Sequence, residues 1–264
     1  MNLDRAVARV SPVHRADPRL KFVAVIATIL AISLLPIGAF AALAITWLTL
    51  VALSTVAGLG PVHLSRGAFI AAPFLLAAVP LIFVRPGDPL GSIDLGPIAL
   101  TVSGEGLVMF ATIAAKSWLS VQAALLLTYT TPFHDLIDAL RDLHLPRILV
   151  AIVSFMYRYI AVLGEEASRM LRARAARSAT VAGASGGSLR WRAGVTGSMV
   201  GSLFLRSYER SERIYAAMQS RGFDGTFPHL ASRPIPAASW AAFGFVLAAL
   251  VGLEVSAHTW LPRA

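Results

Sequence analysis

Long apolar blocks separated by short polar joints dominate this chain, and their lengths predict helices that cross a membrane. A helix needs about 20 mostly apolar residues to traverse a hydrocarbon core. Five blocks approach that length: Leu20–Leu35, Ile37–Val56, Gly67–Val84, Leu107–Thr128 and Ala237–Val255. Pro73 and Pro80 lie inside the third and predict kinks there. Pro36 marks a tight turn after the first block, and the segment with His63 and Arg66 reads as a short loop before the third. The Gly- and Pro-containing loop from Arg85 to Glu105 holds IDLGPIALTV, a candidate small hairpin.

A sixth apolar stretch, Ile148–Leu163, contains Arg158 and closes at Glu165 and Glu166. Sidedness assigns it. Arg5, Arg9, Arg15 and Arg19 precede the first block and place the N-terminus in the cytoplasm by the positive-inside rule, and the loop with Asp88 and Asp94 fits the outside. From Glu165 to Arg233, eleven arginines face five acids, a balance that keeps the segment cytoplasmic. A single crossing by Ile148–Leu163 would put that segment outside, so the stretch is expected to enter without crossing or to lie along the interface. Five crossings follow, with the N-terminus inside and the C-terminus outside. Just before this stretch, Phe133, Leu136, Ile137, Leu140 and Leu143 share one helical face and predict a helix lying at the membrane surface. The expected class is all-α: a transmembrane bundle over 1–131, cytoplasmic or interfacial helices over 132–234, and a last transmembrane helix over 235–264.

Composition supports the membrane class and removes several functions. Hydrophobic residues make up 56% and charged residues 14% of 264, against roughly 45–50% and about 25% in soluble domains. The formal charge of +9 is nearly all arginine, because Lys21 and Lys116 are the only lysines. With no cysteine, disulfides, thiolate metal sites and cysteine nucleophiles drop out. The six histidines are scattered with no pair at one-turn spacing, so no metal site and no cofactor is expected in this chain. No GxxxxGK[ST] loop occurs, so any energy from ATP has to come from another subunit. Neither a nucleophile with its base nor a metal cluster is evident, which argues against an enzyme. The basic segment lacks the stacking aromatics or recognisable fold of a nucleic-acid binder, and its partner surface is the lipid bilayer and other subunits. The polar N-terminus has no small-residue cleavage site after a short apolar core, so the first block reads as a retained span.

Polar groups within or near apolar blocks are costly there and are functional candidates, which singles out Lys116, Gln122 and Arg158. Arg158 has two readings: snorkelling to the interface or pairing with an acid such as Asp135 or Asp138, or a subunit interface shared with Tyr157 and Tyr159. Glu165 and Glu166 are adjacent and point to different helix faces, so they form no catalytic pair, and one of them should pair with Arg169 a turn away.

EEASRMLRARAARSA predicts a long helix from its Ala, Leu, Met and Arg content. GASGGSLR reads as a linker, and a second helix is expected from about Val200 to Ser220. Gly222 then suits the left-handed position past its C-terminus. Each helix ends in an arginine between small residues, Ala176-Arg177-Ser178 and Ser220-Arg221-Gly222. Small neighbours let a planar guanidinium enter an acidic groove while two backbones approach closely. Two such triplets imply two equivalent grooves on a paired partner.

These residues, with HRADPRLK before the first block, TPFHDLIDALRDLHLPRILVAIVSFMYRYIAVLGEEASRMLRARAARS and ERIYAAMQSRGF, resemble the transmembrane T component of energy-coupling factor transporters, in its cobalt-type (CbiQ-like) branch. The resemblance implies a non-catalytic subunit in the cytoplasmic membrane of a prokaryote. Its coupling residues would be Ala176, Arg177, Ser178, Ser220, Arg221 and Gly222, seated in two ABC-type ATPase subunits, while a separate S component binds the substrate. Ser178 stands where that family usually has glycine. The MYRY segment, Met156 to Tyr159, is closer to the metal-importing branch than to the vitamin-importing one, with cobalt the expected cargo. A nickel or vitamin T component, or a self-contained permease, is the alternative; the spans carry few of the polar groups a permease would need.

Overall fold

The computed structural model describes residues 11–85, 89–94, 99–177, 188–223 and 234–260. The chain divides into two compact units: Arg5–Ala139 together with Arg233–Ala264, and Met1–Asp4 together with Leu140–Ser232.

In the first of these units, a single-turn helix α1 (Pro12–Arg15) leads into α2 (Pro18–Leu34). The Asp17 carboxylate accepts from the Arg19 N–H at 3.0 Å and caps α2, and Pro18 occupies the first turn, where its missing N–H costs nothing. Leu35 precedes Pro36 and is extended at ψ 141°, which stops the helix. Helix α3 (Phe40–Val56) closes on Gly58 at φ 71°, with the Leu59 N–H donating to Ser54 O at 3.0 Å.

The predicted loop around His63 and Arg66 is instead a helix, α4 (Pro61–Gly67), entered through Gly60 at φ 75° with Pro61 in its first turn. A 3₁₀ turn (Ala68–Ala71), α5 (Ala72–Ala78) and α6 (Leu81–Val84) follow, so the third apolar block is a broken run with its second interruption at Pro80. The predicted hairpin is present as antiparallel strands β1 (Pro89–Asp94) and β2 (Ala99–Ser103).

Helix α7 (Gly104–Thr130) is the axis of this unit: it touches α2, α3, α4, the 3₁₀ turn, α5 and α6. Its start is capped by the Ser103 hydroxyl, which accepts from the Gly106 N–H at 2.9 Å. Gly106 is obligatory, because a Cβ there would stand 2.7 Å from Leu81 O and 2.9 Å from Ile82 O. Helix α8 (Phe133–Asp142) follows, and α11 (Ala237–Trp260) packs on α2 and α3. The core of the bundle gathers Ile32, Leu43, Leu50, Leu64, Leu119 and Leu126.

The only two lysines tie α2 and α7 together reciprocally. Lys21, at the start of α2, donates to the carbonyl of Thr130, the last residue of α7, at 3.3 Å. Lys116, within α7, donates to Leu35 O at 2.6 Å and Ser33 O at 3.0 Å, at the end of α2. Each cation therefore satisfies carbonyls that have no intrahelical partner and sits at the negative end of the neighbour's dipole. Lys116, a functional candidate from its position alone, has this structural role.

Among the described residues, four helical runs are long and apolar enough to cross a membrane: Pro61–Val84 (24 residues), Gly104–Thr130 (27), Arg147–Arg177 (31) and Ala237–Thr259 (23). Phe40–Val56 is a shorter apolar helix, and α2 has 17 residues. The chain is a multi-pass membrane protein of all-α class.

Candidate functional site

Two helices of 31 residues, α9 (Arg147–Arg177) and α10 (Leu189–Gln219), build the other unit. Helix α9 is one rod of about 46 Å at ~1.5 Å per residue. It joins the apolar stretch Ile148–Leu163 to the arginine-rich segment without a break. Helix α10 starts at Leu189, well before the predicted Val200. Gly194, Gly197 and Gly201 weaken the local preference. The Ser188 hydroxyl nevertheless caps the start by accepting from the Trp191 N–H at 3.3 Å.

Contacts between the two helices run in opposite numerical directions. Arg206 donates to Glu166 Oε1 at 2.9 Å, Arg174 donates to Thr196 Oγ1 at 3.5 Å, and Arg177 shares a groove with Trp191. The helices are therefore antiparallel, and the end of one lies beside the start of the other. Glu166 also pairs with Arg169 on its own helix, the partner expected for one of the two glutamates.

This arrangement separates the two triplets. Arg177 is the last helical residue of α9, and both it and Ala176 are exposed; Ser178 lies outside the described residues. Ser220, Arg221 and Gly222 are exposed at the far end of α10. There Gly222 takes φ 80°, the Phe223 N–H donates to Met218 O at 3.0 Å, and the Gly222 N–H donates to Gln219 O at 2.9 Å. That pattern requires a left-handed residue, as the glycine predicted, and it holds Arg221 at a fixed exit from the helix. From the Glu166–Arg206 contact, Arg177 lies eleven residues one way and Arg221 fifteen the other. At ~1.5 Å per residue the two arginines stand about 39 Å apart along the pair.

Two grooves of about 620 and 650 Å³ flank the Glu166–Arg206 bridge, and together they are lined by six arginines and two glutamates. The floor of the larger is Met170, Val195 and Met199. No histidine lines either groove. The chemistry on offer is recognition of carboxylates or other anions by guanidinium groups, with no proton-transfer pair beside them.

Tyr157, Arg158 and Tyr159 are successive residues of α9, so they spread over about 200° of its circumference. Arg158 is exposed and makes no ion pair among the described residues, and Tyr159 stacks on Phe155 with ring centroids 6.2 Å apart. Gln122 is fully buried in the bundle, and neither of its amide atoms has a partner among the described residues. Among the same residues, no three His, Cys, Asp or Glu side chains converge on a common point.

The family described as CbiQ, cobalt transport protein, matches residues 9–231 of the chain. The Cobalt transport protein CbiQ of Rhodobacter capsulatus is 30% identical over 172 residues, 65% of this chain and 67% of that one. An Energy-coupling factor transporter transmembrane protein EcfT of Thermanaerovibrio acidaminovorans is 32% identical over 174 residues, 62% of each. An uncharacterized protein of Methanocaldococcus jannaschii is 29% identical over 157 residues, 59% of this chain. The alignment spans about half, 52%, of the length of that archaeal relative.

Proposed function

The chain belongs to the CbiQ family of cobalt transport proteins, and from that membership we propose that it is the coupling subunit of an ATP-driven metal importer. Two ABC-type ATPase subunits dock on its two arginine triplets, Arg177 with Ala176 and Ser178, and Arg221 with Ser220 and Gly222. A separate S component in the membrane binds the ion, cobalt(II) first and nickel(II) second, as substrate. This chain contributes no catalytic group and no cofactor. It carries the motion of the ATPases to the S component through α9 and α10.

One observation carries the reading. The two exposed arginines sit at opposite ends of a single antiparallel helix pair, about 39 Å apart along it at ~1.5 Å rise per residue. No single guanidinium-sized groove spans that separation, whereas two like subunits side by side offer the same groove twice. The matched family and the Rhodobacter capsulatus relative, both described as cobalt transport proteins, support the metal cargo. In this reading the N-terminus and the helix pair are cytoplasmic, α9 lies at the interface rather than crossing, and the C-terminus is outside.

Uptake of radiolabelled Co²⁺ and Ni²⁺ tests it, in cells expressing the chain with the reading frames that flank its gene. Arg177→Ala with Arg221→Ala should leave membrane insertion intact and reduce uptake of the transported ion to background. Wild-type uptake by the double variant would refute the assignment of the two arginines.

A further inference from the structure

The ion bridge where α9 and α10 meet holds a carboxylate from both sides. Glu166 Oε2 faces Arg169, one turn along its own helix, and Oε1 accepts from Arg206 of the other helix at 2.9 Å. The carboxylate is the enclosed member, with 23% of its side chain exposed against 54% for Arg169 and 62% for Arg206. Arg169 holds Oε2 from within α9, which leaves Oε1 to face α10. Each arginine makes one charge-assisted contact to its own oxygen of the carboxylate, so the two together fix the carboxylate's orientation.

Apolar side chains of both helices, among them Leu163, Met170, Val195, Met199 and Leu203, line the gap on either side of the bridge. The two grooves adjoin the bridge on either side, and both are lined by Glu166 and Arg206. Arg174 also donates across the pair, to Thr196 at 3.5 Å. Glu166 is the charged tie between the two helices, and any change of angle at it is amplified with distance. Arg177 is roughly 16 Å and Arg221 roughly 22 Å from the bridge at ~1.5 Å per residue. A rotation of about 10° at the bridge would carry Arg221 about 4 Å, more than the reach of a hydrogen bond.

We propose that Glu166 is the positioning residue that sets the angle between α9 and α10 and so the placement of the two arginine ends. It acts through Arg206, touches neither substrate nor nucleotide, and needs no part in folding of the membrane bundle. Its consequence for transport rests on the coupling role proposed above. Its geometric content does not.

The test uses the full chain, wild type and Glu166→Gln, purified with its co-expressed subunits. Because the sequence has no cysteine, spin labels can be attached to single cysteines placed at exposed Ile152 and Gln219. These positions lie at the same end of the pair, about 20 Å from the bridge at ~1.5 Å per residue. Glu166→Gln should move or broaden the label-to-label distance distribution by several ångströms. It should also lower metal uptake per ATP hydrolysed at least fivefold while the ATPase subunits are still recovered. Arg206→Ala should do the same, and the double variant should be no worse than either single one, as for two residues acting as a unit. An unchanged distance distribution in both single variants would overturn the proposal, and so would additive losses in the double variant. If wild type itself captures no ATPase, the coupling role falls, while the distance measurement still decides the bridge.

Discussion

Replacing Lys116 by methionine tests the reciprocal lysine arrangement of the membrane bundle. The side chain keeps its length and loses its charge, so the carbonyls of Ser33 and Leu35, now bonded at 3.0 and 2.6 Å, lose their donor. A hydrogen bond to a charged group contributes about 1.5–3 kcal/mol, and a cation at a helix C-terminus adds about 0.3–1 kcal/mol. Against this stands the relief of no longer holding an ammonium in an apolar setting, which is of similar size to one of the bonds. The net loss is about 2–4 kcal/mol, or roughly 4–16 °C in unfolding temperature at ~2–4 °C per kcal/mol for a domain of this size. Thermal unfolding of the detergent-solubilised protein, followed by tryptophan fluorescence, reads it directly. Lys21→Met should behave likewise through Thr130. The two losses should add, because the sites lie at opposite ends of the α2–α7 contact. Unfolding of Lys116→Met at or above the wild-type temperature would refute the capping role.

Gly106→Ala should destabilise the bundle by about 1–3 kcal/mol as an overpacking change, since its Cβ would meet Leu81 O at 2.7 Å; reduced detergent stability with loss of the monodisperse peak checks it. Asp17→Ala removes the cap of α2 and should cost about 1 kcal/mol, read in the same unfolding assay. Gly222→Ala forces a side chain into φ 80° and should cost about 1–2 kcal/mol locally; faster hydrogen exchange at the end of α10 than in wild type is the expected signature.

Most of the bundle was legible because apolar block length and proline position act locally. The hairpin, the break at Pro80, the Gly222 terminus and the pairing of a glutamate with Arg169 all follow from residues within a few positions of one another. What was not legible depended on distant partners. Lys116 looked like a functional residue until the end of α2, some 80 positions earlier, supplied its acceptors. Arg206 gave no signal of its role because Glu166 lies forty positions away. Three glycines hid the first turns of α10, whose start is set by the Ser188 cap. The loop predicted at His63 and Arg66 folds as helix α4 because Gly60 and Pro61 open a helix there instead of ending one. The antiparallel pairing, which places Arg177 and Arg221 at opposite ends, is a tertiary fact that neither triplet announces.

Native mass spectrometry of the complex purified through this chain tests the central claim most directly. Two ABC-type ATPase subunits should accompany each copy of the wild-type chain, one lost with either Arg177→Ala or Arg221→Ala, and both lost with the double variant. Two ATPase subunits retained by the double variant, or none captured by wild type, would contradict it.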